Sequence, residues 1–376
     1  LIISIPWPSY QKQESFTGET LQYRAGLALG QSLILGQGPQ ATEVGSMNGV
    51  RVGNRIIGAD APVTVGWENI GRVEGGPAKQ FIFTYFQPTI LFAVLAFWYY
   101  APSSIAVAST AIWMGICFKL FLLALEWVNP RYDSWRLTWK EFATDLFYVG
   151  LGYTLLRMVD NYIGDGVIIE AIQNSFDWEK LSWFTDLPLL VQALLISLIF
   201  EFGQYWMHRG MHNWYPLWLT HAPHHYITQL NINKGAVGNP IELFLIGLGI
   251  GGFFDFIPRA FLLAGAIGLT VGVYQHINVR FNSPRWWRFL FNTTEHHSVH
   301  HSQDYEATRS NYGASWIIFD RLFGTCVDGE AELLGMEGGR RMPINETMVF
   351  PFTEGYKSLK SRIRDRRQQP TAIPAE

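Results

Sequence analysis

LPLLVQALLISLIFEFGQYWMHRGMH, residues Leu187–His212, joins two signals that seldom adjoin. Leu187–Trp206 is an almost unbroken apolar run of about 20 residues, the length at which a helix crosses a bilayer core. Directly after it comes His208, and all ten histidines of the chain fall between His208 and His301. They are grouped as His208-x-x-x-His212, His221-x-x-His224-His225, His276 and His296-His297-x-x-His300-His301. Imidazole is the commonest protein ligand for transition metals, so the grouping reads as a polynuclear metal site at the end of a membrane helix.

The rest of the chain agrees with a membrane setting. Only 16% of its 376 residues are charged, well below a soluble average of roughly a quarter. A net charge of −3 leaves no basic field for phosphates, so nucleic acid is excluded as a partner. Two cysteines, Cys117 and Cys326, are too few for a disulfide framework or an iron–sulfur site.

Apolar runs divide the chain. Residues 1–78 form an N-terminal appendage, Gly-rich over 27–78, with short runs between turn signals that predict short strands and loops. Residues 79–328 form the membrane-embedded body and 329–376 a basic C-terminal tail on the cytoplasmic side. Phe81–Tyr100, Ile105–Leu125 and Leu187–Trp206 have spanning length, and Leu146–Ile163 is a weaker span interrupted by Arg157 and Asp160. Leu243–Phe254 and Ala260–Tyr274 are short for crossings and predict a re-entrant hairpin that returns His276 to the side of the other histidines. The loop Asn129–Glu141 carries Arg131, Arg136 and Lys140, whereas Gly164–Asp186 carries five acids and one Lys. Basic loops stay cytoplasmic, which puts the histidines on the cytoplasmic face. The expected fold is therefore an all-α integral membrane protein of four to six apolar helices. A cytoplasmic histidine-lined metal cap sits over it, beside the small Gly-rich segment of strands and loops.

Residues three or four apart share a helix face. His208 with His212, the triplet His221, His224 and His225, and the triplet His297, His300 and His301 can each converge, and His276 makes nine candidate ligands. A tetrahedral zinc takes four, so nine suit two metals. A zinc protease needs a Glu directly after the first His, where this chain has Arg209. Haem would not use nine imidazoles. A dinuclear non-haem iron centre uses all the groups.

These segments also carry a family resemblance. Tyr205–His212 and Leu217–His225 resemble the first two histidine boxes of the fatty acid hydroxylase/sterol desaturase superfamily. Gln275–Arg280 resembles the extra histidine motif of its bacterial and alkylglycerol-monooxygenase-like branches. Thr293–Ser302 resembles the third box, and Asn311-Tyr312-Gly313 with Phe319–Thr325 the closing motif. The match covers about residues 85–328, with every motif in order.

The resemblance implies a di-iron oxygenase with O2 as co-substrate, acting on fatty acyl, sterol, alkylglycerol or carotenoid-like lipids. Its iron ligands are His208, His212, His221, His224, His225, His276, His297, His300 and His301. His296 is left as a neighbour of the site, and Arg209 as a contact for a head group or carboxylate. Between Asn231 and Pro240, Val237 and Asn239 stand where many relatives carry Arg and His. Glu201 and Gln204 share the helix face of His208, which makes Glu201 a partner for an imidazole N–H; Asn278, Glu295, Asp304 and Asp320 are weaker candidates. The expected reaction is hydroxylation of a C–H bond in a long lipid. Desaturation, or a non-enzymatic membrane metal-binding role, are the alternatives. No ferredoxin, cytochrome b5 or dinucleotide signature is present, so a separate ferredoxin, cytochrome b5 or reductase must supply electrons. The branch resemblance points to a bacterial inner membrane, with the ER membrane as the alternative.

Overall fold

The computed structural model describes residues 49–52, 55–58, 63–67, 70–159, 162–163, 167–168, 170–176, 183–247, 257–336 and 338–368. Strands β1 (Gly49–Val52) and β2 (Arg55–Gly58) pair antiparallel, Val52 facing Arg55. A second pair joins distant parts of the chain: β3 (Val63–Val65) lies antiparallel to β4 (Gly329–Ala331). A Cβ on Gly329 would collide with the Thr64 carbonyl, so glycine lets the two backbones approach. The pair links residues ahead of position 78 to residues beyond 328. Of the short strands expected over 27–78, those before residue 49 lie outside the described residues.

The other named elements among the described residues are helical. Helix α1 (Pro77–Tyr100) starts on a proline, which suits a first turn, and turns through residues 101–107 into α2 (Ala108–Val128). Helix α3 (Trp139–Leu151) is capped by Thr138, whose hydroxyl accepts from the Glu141 N–H at 3.3 Å. It continues as a π turn, Gly152–Leu156, and one short turn, α4 (Arg157–Val159), before α5 (Glu170–Phe176). The weak span expected over Leu146–Ile163 is thus not one α-helix. Gly150, Gly152 and the β-branched Thr154 are poor helix formers, and the backbone widens there.

The long α6 (Leu189–Asn213) is followed after one residue by α7 (Tyr215–His225). The two stretches expected to form a hairpin hold α8 (Pro240–Gly247) and α9 (Pro258–Gly272); residues 248–256, with the first half of the turn expected at 255–258, lie outside the described residues. At 1.5 Å per residue the 15-residue α9 is shorter than a ~30 Å core. Short helices α10 (Arg285–Leu290), α11 (Thr294–His300) and α12 (Ile318–Leu322) precede the terminal α13 (Ile344–Gln368).

Among the described residues, three helices are long and apolar enough to cross a membrane: α1, α2 and α6. Helix α9 packs against α1 and α6 through small and branched residues such as Ala260, Ala264, Ala266 and Ile267. The outer face of α2 leaves Ile112, Trp113, Leu120 and Phe121 exposed, a surface suited to lipid. The main core joins α1, α2 and α9 to Tyr274, Ile277, Trp287, Phe291 and Trp316, directly under the histidine cap.

Candidate metal centre

Four elements carry the nine histidines: the end of α6, α7, the turn after α9, and α11. On α6, His208 and His212 are one turn apart and face the same way. Helix α7 turns back on α6 at Trp214 and presents His221 and His225 to them. The triplets divide as their helical geometry dictates. Adjacent residues on a helix diverge by about 100°, so His224 and His225 part company, as do His300 and His301.

The result is two clusters. His208, His212, His221, His225 and His300 bring one ring nitrogen each within 4.8 Å of one another, and so do His224, His276, His297 and His301. Within the first, the Nε2 atoms of His208 and His221 are 3.1 Å apart, and those of His221 and His225 3.0 Å. In the second, His276 Nε2 is 3.4 Å from His224 Nε2 and 3.0 Å from His297 Nε2, which is 3.1 Å from His301 Nε2. Imidazoles ligating one ion at ~2.1 Å, with bond angles between octahedral and tetrahedral, hold their nitrogens roughly 3.0–3.4 Å apart.

Proton positions sharpen the point. His208, His224 and His300 present Nδ1 to the backbone carbonyls of Tyr312, Val237 and Ser310, at 2.7, 2.6 and 2.7 Å. A carbonyl only accepts, so each ring holds its proton on Nδ1 and turns the Nε2 lone pair to the centre. Among the described residues, His300 Nε2 and both nitrogens of His212 are buried without a hydrogen-bond partner. Burial pushes the other rings away from the charged form as well: His221 down to about 3, and His224, His225, His276, His297, His300 and His301 below the ordinary imidazole value. Neutral imidazoles aimed at one another from 3 Å could hold a cation between them, and the donor set fits metal ions.

The supports of these rings are mostly absent from the expected set. His221 Nδ1 meets the Glu242 carboxylate at 2.6 Å. Glu242 also accepts from the Asn239 N–H at 3.3 Å, while Asn239 Oδ1 accepts from the Ile241 N–H at 2.9 Å. That reciprocal pair is a capping box at the start of α8, and Asn239–Glu242 had the spacing to announce it. Val237 and Asn239 thus serve the site by a carbonyl and a cap. Gly238 is needed beside them, because a Cβ there would strike the Glu242 carboxylate. Both Glu242→Gln and Gly238→Ala are expected to lower metal affinity roughly 10–100-fold, read as metal retained during dialysis against a chelator.

Glu201 does not reach His208 or any other ring. It lies seven residues earlier on α6, ~10 Å along the axis, and its carboxylate accepts from the backbone N–H groups of Ala314 and Ser315, the latter at 2.9 Å. Asp320 accepts from the N–H groups of Tyr312 and Gly313 at 2.9 and 2.8 Å. Together they pin the turn whose Tyr312 carbonyl holds His208. Asn311, with φ 52°, bonds His296 O and Val327 O through its amide, which tolerates the left-handed backbone there. Asn278 braces the loop after α2 instead of touching an imidazole: its Oδ1 accepts from the N–H groups of Arg131 and Tyr132, each at 3.0 Å. Gln204 donates to Ile246 O, and Asp304 accepts from the Glu306 N–H within its own turn. His296 faces away from both clusters, its Nε2 3.1 Å from Asp328 and its ring edge-on to Trp67. Arg209 donates to the Tyr205 hydroxyl at 2.9 Å.

Arg131, expected as a loop charge, is 1% exposed. It pairs with Glu295 at 3.0 Å and with Glu330, joining the loop after α2 to α11 and β4.

Residues 193–325 match the fatty acid hydroxylase family model, a span running from α6 past α12. An ornithine lipid hydroxylase of Rhizobium tropici is 29% identical over 248 residues, 63% of this chain and 73% of that protein. An alkylglycerol monooxygenase of Xenopus tropicalis is 30% identical over 187 residues, 48% of this chain but 39% of that protein. A putative methylsterol monooxygenase of Dictyostelium discoideum is 30% identical over 235 residues, covering 58% of this chain and 82% of its own length. No solved structure matches. With a relative matched over most of its length and a family segment that contains every histidine of both clusters, the chain belongs to the fatty acid hydroxylase/sterol desaturase superfamily.

Proposed function

We propose that this chain is an integral membrane oxygenase that hydroxylates a C–H bond in a long apolar lipid, using two iron ions held by the nine clustered histidines. The observation that carries the reading is the facing of buried, neutral imidazoles across two clusters of five and four. The substrate class follows the relatives named for ornithine lipids, alkylglycerols and methylsterols, all lipids. When bound, the metal pair supplies the O2 chemistry that no side chain here can perform. The chain's own residues do the rest. Carbonyls of Val237, Ser310 and Tyr312 fix ring tautomers, Glu242 orients His221, and the apolar helices below exclude water and align an acyl chain. The reductant comes from a separate redox partner. The cap lies on the cytoplasmic face, in a bacterial inner membrane.

Burial of the rings favours this over a metal-sensing role, which needs exchangeable ligands. Metal analysis and Mössbauer spectroscopy on protein from iron-57-fed cells test the centre, with about two irons per chain and a coupled-pair signal expected. Mass spectrometry of membrane lipids after expression tests the reaction. A gain of one oxygen is expected; loss of two hydrogens would replace hydroxylation by desaturation, and zinc in place of iron would end the oxidative reading.

A further inference from the structure

Helix α13 has a face that none of the described residues covers. Its inner side packs on α7: Thr347 is buried, Gly355 lies against Leu219, and Phe350 meets the Tyr226 ring. On another side Val349, Phe352, Tyr356, Leu359 and Ile363 are each between 45% and 66% exposed. Their steps of three and four residues place all five within one stripe, roughly a quarter of the helix circumference at 100° per residue. Exposed Lys360 and Arg364, with Lys357, line one edge of that stripe, and Arg362 lies beyond the other.

Position matters as much as pattern. Helix α7 begins one residue after the membrane-length α6 ends, and packed helices sit ~8–10 Å apart, so α13 is held beside the end of α6. An apolar stripe with aromatic members and basic margins at that level matches the headgroup–acyl boundary of an anionic bilayer. A second copy fits worse. Pairing through the stripe would set Lys360 of one helix against that of the other, while Arg362 lies over the Tyr215 ring of α7 and the nearby acids Glu346 and Glu354 are already engaged by Arg340 and Lys357.

We propose that α13 is an interfacial helix lying on the anionic surface of the bilayer that the same chain spans, and that it fastens α7, and with it the second histidine box, to the membrane plane. This rests on the membrane reading above. The test places the photo-crosslinking residue p-benzoylphenylalanine at Phe352, Tyr356 or, as the reference for a lipid-facing site, Trp113 of α2, in full-length protein in nanodiscs containing phosphatidylglycerol. Lipid adducts at 352 and 356 within about threefold of the reference are expected, falling roughly fivefold for each charge removed in Lys357→Gln, Lys360→Gln and Arg364→Gln. Adducts at 113 with none at 352 or 356 would overturn the interfacial helix and leave the spanning helices intact. Cross-linked dimers would overturn it in favour of a second copy. No lipid adduct at any position would remove the membrane reading and this proposal with it.

Discussion

His221→Ala and His224→Ala, changed three residues apart on one helix, are expected to lose different metal ions. His221 belongs to the cluster of five and His224 to the cluster of four. Each variant should fall from about two irons per chain to about one, and lipid hydroxylation should drop at least about 100-fold, since removing even an outer partner of a ligand costs 10–100-fold. His296→Ala, one residue from a cluster member but turned toward Asp328 and Trp67, should keep both irons. Iron quantified by mass spectrometry and the coupled-pair Mössbauer signal read the outcome. The signal should vanish in the first two variants and persist in the third. Equal and complete loss of iron in all three would refute the division into two clusters.

Arg131→Met is expected to produce the largest loss of stability from a single change. Arg131, Glu295 and Glu330 are all buried, and among the described residues the guanidinium is the cation that ion-pairs with both carboxylates. Burial, the largest influence, raises the Glu295 carboxyl, but the Arg131 charge together with the Thr293 hydrogen bond and a backbone N–H brings it below the usual carboxylate range. Removing one partner of such a group leaves uncompensated buried charge, at about 3–5 kcal/mol. In a chain of this size that corresponds to a melting temperature lower by about 4–6 °C. Because Glu295 precedes His297 by two residues on α11, weaker iron retention should accompany the loss. The triple variant Arg131→Met, Glu295→Gln, Glu330→Gln should recover much of the stability, as neutral groups tolerate burial better than lone carboxylates. Melting of the single variant within ~2 °C of the parent would show that the charges are solvated.

The histidines were legible because side-chain chemistry and helical spacing were both written in the sequence; even the parting of His224 from His225 follows from the turn of a helix. Their acceptors were not. Tyr312, Val237 and Ser310 act through backbone carbonyls, which every residue type possesses, so nothing in their identity marks them. Glu201 illustrates the converse error: its face on α6 was right, but axial distance gave it to the N–H groups of Ala314 and Ser315. Arg131 looked like an ordinary basic loop residue because its partners lie 164 and 199 positions away. Glu242 was readable, through the capping box that it forms with Asn239.

The pairing of β3 with β4 bears on how the protein is made. Val63–Val65 leave the ribosome early, yet their partners Gly329–Ala331 follow the last histidine. Helices α1, α2 and α6 can insert and pack while synthesis continues, but the strand pair must await residue 331. Closing so long a loop is slow, and few local contacts reward it beforehand. Because β4 also packs on α11, which carries His297 and His300, full closure of the candidate metal centre is expected only after synthesis has passed residue 331.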